Sequence, residues 1–183
     1  MSHAGRLLVA TPVLTDANFA RTVILLIAHD DEGALGVVLN RTSAIPVWGV
    51  LPEWAPLVGE PQSVFTGGPV APDAAICLAR PRPGREPGGW SPIDGSSVGT
   101  VDLAGDPELL GPHIDRLRVF AGYAGWGAGQ LEFEIAEGAW FVLEALPGDP
   151  FVEQPNVLWP MVLRRQGGMI AAVATYPSDP SLN

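Results

Sequence analysis

Apolar residues fall in short runs, each closed by glycine, proline or acidic residues, a pattern of strands more than of long helices. Residues 6–10 (RLLVA) and 22–28 (TVILLIA) predict buried strands, and 35–39 a third. The cluster His29-Asp30-Asp31-Glu32-Gly33 between the last two predicts a hairpin turn. Further strands are predicted at 64–65, 74–79, 98–103, 117–121 and 140–145. Residues 47–54 predict a short helical turn, cut off by Pro52 and Pro56. Asp106 and Pro107 open a short helix, as N-cap and first-turn residue. Residues 156–167 predict another helix, with Pro160 in its first turn and Gly167-Gly168 at its end. One segment reads two ways. In 130–134 (QLEFE) the alternation of Leu131, Phe133 and Ile135 leans to a strand, while Gln, Leu and Glu are good helix formers.

Strands outnumber helices, and hairpins occur beside helical connections. The fold class is therefore α/β or α+β with a mixed sheet. The length of 183 residues fits one domain spanning 1–183. Residues 80–97 (RPRPGREPGGWSPIDGSS) read as a mobile surface loop inside it, and the final YPSDPSLN as a polar tail.

Composition closes several functional doors. All 10 basic residues are arginine, so a Walker-A phosphate loop and Schiff-base chemistry are excluded. The single cysteine, Cys77, excludes an internal disulfide and any CxxC site, and its apolar surroundings predict burial. A net charge of −10 argues against direct nucleic-acid binding and against an anionic membrane surface. The longest strongly apolar run has 6 residues, whereas a membrane-spanning helix needs about 20. With no secretory signal in view, the expectation is a cytoplasmic protein.

Several residue groups carry candidate chemistry beside a plainer reading. Gly95-Ser96-Ser97-Val98-Gly99 matches a nucleophile elbow, but it ends a loop and leads into a strand, so it reads as loop. Gly125, Gly127 and Gly129 follow a strand, yet their spacing is not that of a dinucleotide fingerprint. Glu132 and Glu134 share a face on a strand and diverge by about 200° on a helix. His3 is placed in the N-terminal tail, so a three-histidine zinc site is not expected, nor is any cofactor.

An ordered series of motifs resembles one family. Leu8-Val9-Ala10-Thr11-Pro12 comes first, then Asp16-x-x-Phe19-x-Arg21-Thr22-Val23. His29-x-x-Glu32-Gly33-Ala34-Leu35-Gly36 and Leu39-Asn40-Arg41 follow, then Gly67-Gly68-Pro69-Val70. Gly122-Tyr123-Ala124-Gly125-Trp126, Gly129-Gln130-Leu131-Glu132-x-Glu134 and Trp140 complete it. The set is similar to the YqgE/AlgH family of bacterial proteins. Thr42 stands where that family usually has proline, and its Gly-His-Ala ending is missing. The resemblance implies a mixed, barrel-like sheet flanked by helices, and a helix after Gly129. It implies no reaction, since the family's members are largely uncharacterised.

The functional expectation is a non-catalytic regulatory domain that binds a small ligand or a protein. The alternative is an enzyme of hydrolytic or transfer type using His29, Glu32, Asn40, Gln130 and Glu132 in a shared pocket. The candidate pocket joins Tyr123, Trp126, Gln130 and Glu132 on one wall to the His29–Gly33 turn and Asn40 on the other, with Gly68 a further candidate; the plainer alternative makes Trp126 simply core. Its argument rests on flexible glycines, two large aromatic faces and a helix N-terminus that could meet an anion.

Overall fold

The structure is a computed structural model that describes residues 2–177. Its strands form one curled, mostly antiparallel half-barrel sheet. In chain order they are β1 (Arg6–Ala10), β2 (Val23–Asp30), β3 (Gly33–Val38), β4 (Thr42–Pro46) and β5 (Ser63–Thr66). Then come β6 (Val70–Pro81), β7 (Trp90–Pro92), β8 (Gly99–Val101), β9 (Ile114–Gly127) and β10 (Trp140–Glu144). Short helices flank the sheet: α1 (Val47–Val50), α2 (Pro107–Leu110), α3 (Gln130–Ala136), α4 (Leu158–Arg164) and α5 (Gly168–Val173).

The main path through the sheet is β10-β1-β2-β3-β9-β6-β8-β7. β9 is its spine. One edge of β9 runs antiparallel to β6; the other meets β5 in parallel and then β3 antiparallel. The sheet bends where those two partners hand over. There Gly67 donates to Ala121 and accepts from Val38, bridging β9 and β3. Two glycines make the crossing possible. A Cβ on Gly68 would lie 2.2 Å from the Tyr123 carbonyl, and one on Gly122 would lie 2.4 Å from the Gly68 oxygen. Both also hold positive φ, +153° and +71°.

Alternation along β1 explains why its run is wholly apolar. Leu7 and Val9 enter one core, with Leu25, Phe120, Trp159 and Leu163, under α4 and α5. Leu8 and Ala10 enter a second, with Ile24, Trp126, Leu131 and Trp140, under α3. A strand covered on both faces needs no polar side. A third core around Trp54, Cys77, Leu110 and Leu117 lies at the β6–β8 end. One buried cation crosses between elements. Arg118 donates to the Pro150, Val152 and Glu60 carbonyls and lies over the Phe65 ring. Burial pulls its guanidinium down to about 10.

Several sequence expectations change. Residues 130–134 are helix, as the family resemblance implies and against the strand lean of the pattern alone. The alternation there arises because Leu131 packs inward while Phe133 is exposed. The 80–97 stretch is not all loop. It holds the end of β6 and all of β7, whose Trp90 indole donates to the Ala79 carbonyl. The 98–103 strand shortens to Gly99–Val101, and 117–121 lengthens into the 14 residues of β9. The 156–167 helix starts later, as α4, after a 3-10 turn at Pro155–Val157. Gly168 opens α5, which the glycine pair hid. β4 gave no apolar signal because it is largely exposed and held by pairing with β5. Asp106 caps α2 as expected, accepting from the Glu108 N–H at 2.8 Å. Most of the predicted polar tail, 178–183, lies outside the described residues.

Candidate functional site

The β2–β3 hairpin delivers His29, and α3 delivers the carboxylates. β2 runs through Asp30 and β3 starts at Gly33, so Asp31 and Glu32 make the turn. Asp30 steadies it by accepting from the Glu32 N–H at 2.8 Å. On β2, His29 pairs with Ala34 of β3, which pairs in turn with Trp126 of β9. These three share the face that α3 covers. Here the seven-residue helix separates its two glutamates, as its geometry requires.

Glu132 turns to His29, with Oε1 and the ring Nε2 2.7 Å apart. The other ring nitrogen, Nδ1, accepts from the His3 backbone N–H at 2.9 Å. An accepting Nδ1 requires the neutral ring with its proton on Nε2, which therefore donates to Glu132. His3 also stacks on His29, with ring centroids 5.2 Å apart. The N-terminal segment is thus part of this cluster rather than a loose tail. Burial, and then the nearby His29, lower the pKa of His3. Glu132 is held below the usual carboxylate range, first by its own backbone N–H and next by His29. The Glu132 carboxylate thus takes up part of the positive field at the helix N-terminus.

Glu134 turns the other way and is the hub of a second network. Its Oε2 accepts from the Trp126 and Trp140 indoles at 2.9 and 2.8 Å. Its Oε1 accepts from Gln130 at 3.0 Å, while Gln130 accepts from the Gly127 N–H. Phe19 packs on both indoles. Sequence reasoning weighed Glu134 only as a partner for Glu132. The i,i+4 spacing of Gln130 and Glu134 was the available signal, legible once a helix is assumed.

The opposite face of the same strands carries a separate feature. Ala28, Leu35 and Tyr123 line a shallow hollow of about 470 Å³, together with Asp30, Glu32 and Val70; Ala34 and Trp126 also border it, although the Trp126 indole N–H points to Glu134. Strand alternation directs the side chains of Tyr123 and Trp126 to opposite faces, because they stand three positions apart on β9. Trp126 is 6% exposed and belongs to the core. Gly68 lies against the Tyr123 backbone and so sets how close β6 comes to the hollow. Asn40 stands at the far end of the hairpin. It accepts from the Val23 N–H and donates to the Arg21 carbonyl, both at 2.9 Å. The candidates thus separate: Gln130 and Glu132 lie on α3, with His29 and Trp126 packed against it; Glu32 and Tyr123 line the hollow, which Trp126 also borders; Gly68 lies against the Tyr123 backbone; and Asn40 stands apart. Among the described residues, no group of three His, Cys, Asp or Glu side chains is placed to hold a metal ion.

An AlgH-like family model (DUF179) matches residues 7–171. The chain belongs to the AlgH-like family. It is 56% identical over its whole length to a UPF0301 protein of Streptomyces coelicolor, covering 96% of that protein. A UPF0301 protein of Thermobifida fusca is 50% identical over the whole chain and 96% of its own length. Among solved structures, the crystal structure of protein DIP2367 from Corynebacterium diphtheriae superposes with a TM-score of 0.87 at 35% identity. That match covers 94% of this chain and 91% of the other. The solution structure of the AlgH protein from Pseudomonas aeruginosa gives 0.69 at 27% identity, covering 96% and 94%. The matches extend the family assignment to the whole fold and describe no reaction. No helix among the described residues is long and apolar enough to cross a membrane.

Proposed function

We propose that this AlgH-like chain is a non-catalytic, cytoplasmic regulatory domain that binds a positively charged ligand or protein segment in the hollow beside the β2–β3 turn. The observation that carries the reading is the occupancy of its polar groups. Both ring nitrogens of His29 and both carboxylate oxygens of Glu134 are engaged within the chain. Groups so engaged brace α3 on the sheet and leave little for proton transfer. An enzyme built on His29, Glu32, Asn40, Gln130 and Glu132 would need those side chains in one cleft, and their dispersal counts against it.

The hollow has the opposite character. Asp30 and Glu32 supply negative charge at its rim and Tyr123 an aromatic wall. Carboxylates beside an aromatic face suit a guanidinium or ammonium group. The net charge of −10 adds a favourable field for such a partner and an unfavourable one for nucleic acid. The test is thermal denaturation with argininamide, a cation without a carboxylate, against citrullinamide, its uncharged counterpart. Argininamide should raise the melting temperature in a concentration-dependent way. Glu32→Gln and Tyr123→Ala should each reduce that rise. An equal response to both compounds, or none, would overturn the proposal, as would turnover of any substrate that requires His29.

A further inference from the structure

Between β1 and β2 the chain makes a long, ordered excursion, and a second cavity lies beneath it. It measures about 200 Å³ and is lined by Pro12, Leu14, Thr15, Arg21, Trp159 and Tyr176, among others. We propose that this cleft binds a small organic carboxylate, with its acid group on Arg21 and its apolar part against Pro12, Leu14 and Trp159.

Arg21 is held in an unusual way. Its φ is +58°, a left-handed conformation that a glycine would adopt without strain. The strained backbone keeps a guanidinium at this place, and such strain gathers at binding sites. The guanidinium carbon lies 4.1 Å above the Trp159 ring. That ring is itself fixed, because its indole N–H donates to the Ala10 carbonyl at 2.9 Å. One Arg21 nitrogen, Nη1, donates to the Tyr176 carbonyl at 2.9 Å. Among the described residues, Nε and Nη2 have no hydrogen-bond partner, and Arg21 has no carboxylate within ion-pair distance. Among the described residues Arg80, Arg116 and Arg165 each pair with an aspartate; Arg21 instead meets a cavity wall and an aromatic ring.

Chemistry and size then select the ligand. Two remaining guanidinium donors match the two oxygens of a carboxylate. The apolar walls favour a hydrocarbon part. The volume lies below the roughly 300–1,000 Å³ of pockets for drug-sized molecules, so a single ring or short chain fits. The cleft shares no lining residue with the hollow beside the β2–β3 turn, so the failure of either proposal leaves the other standing.

The test is an NMR titration of the full chain with phenylacetate, phenylacetamide and inorganic phosphate, following the Trp159 indole N–H. Phenylacetate should shift that signal saturably, and phenylacetamide should bind about tenfold more weakly or worse. Phosphate should not compete at equal concentration. Arg21→Gln should lose about tenfold in phenylacetate affinity, and Arg21→Lys less. Should Arg21→Gln fail to fold, the acid-against-amide comparison in the unmodified protein still decides. Equal binding of acid and amide, equal binding of phosphate, or no Trp159 shift up to about 10 mM phenylacetate would overturn the proposal.

Discussion

Glu134 carries more of this structure than its exposed, acidic surroundings suggest. It receives two indole N–H groups that are otherwise cut off from acceptors in the Trp126 and Trp140 core. Replacing it with alanine strands both donors, at about 1–3 kcal/mol for each one that water cannot reach. We expect Glu134→Ala to lower unfolding stability by that order in urea titration, and Glu134→Gln, which keeps an acceptor, to lower it less. Cys77 makes a second residue-scale case. It is 2% exposed, and burial raises its thiol above the usual range. A thiol reagent should label it slowly in the native protein and quickly after denaturation. The burial was legible from the apolar run around Cys77. The role of Glu134 was not, because QLEFE alternates like a strand, and on a strand Glu134 would share a face with Glu132 instead of opposing it. His3 was missed for a related reason: its partner is its stacking neighbour His29, 26 residues away, and no local pattern records such a contact.

Single elements show where local sequence suffices. The β2–β3 hairpin and the Asp106 cap follow from turn and capping chemistry, which is written within a few residues. β4 and α5 do not. β4 exists because β5 pairs with it, and α5 because it packs on the core shared with α4. α3 depends on its docking in the same way. Its buried residue is Leu131, which shares the second core with Trp126 and Trp140. Leu131→Ala should cost about 2–5 kcal/mol, and Trp126→Ala about 3–5 kcal/mol. Amide exchange in α3 should rise in both variants while β1 stays protected. The crossing of Gly68 over β9 makes a harsher test. Gly68→Ala forces a Cβ to within 2.2 Å of backbone and should fail to yield folded protein.

At the scale of the whole molecule, charge sets how stability depends on pH. Arg80 hydrogen-bonds Asp115 and is the main reason that carboxyl titrates low; Glu132 is low through its own backbone N–H and His29. A carboxylate lowered in the folded state adds stability above its unfolded pKa and loses it as pH falls through the folded one. His3, also lowered, acts in the same sense from about 6.5 downward. Stability should therefore fall on acidification, starting just below neutrality and steepening through the carboxylate range, as urea midpoints at successive pH values would record. The field of the chain, at net −10, should also repel duplex DNA. A salt-sensitive complex at micromolar or tighter affinity in about 150 mM salt would contradict that expectation.

On the proposed reading labour is divided: α3 and its carboxylates brace the sheet, and the opposite face binds. Side-chain and backbone NMR of the folded protein during an argininamide titration tests it most directly. Saturable shifts are expected at the amides of Glu32, Leu35, Val70 and Tyr123. The indole signals of Trp126 and Trp140 and the ring signals of His29 should stay in place. Shifts centred on the His29 ring and the two indoles, with the Tyr123 face unmoved, would contradict it.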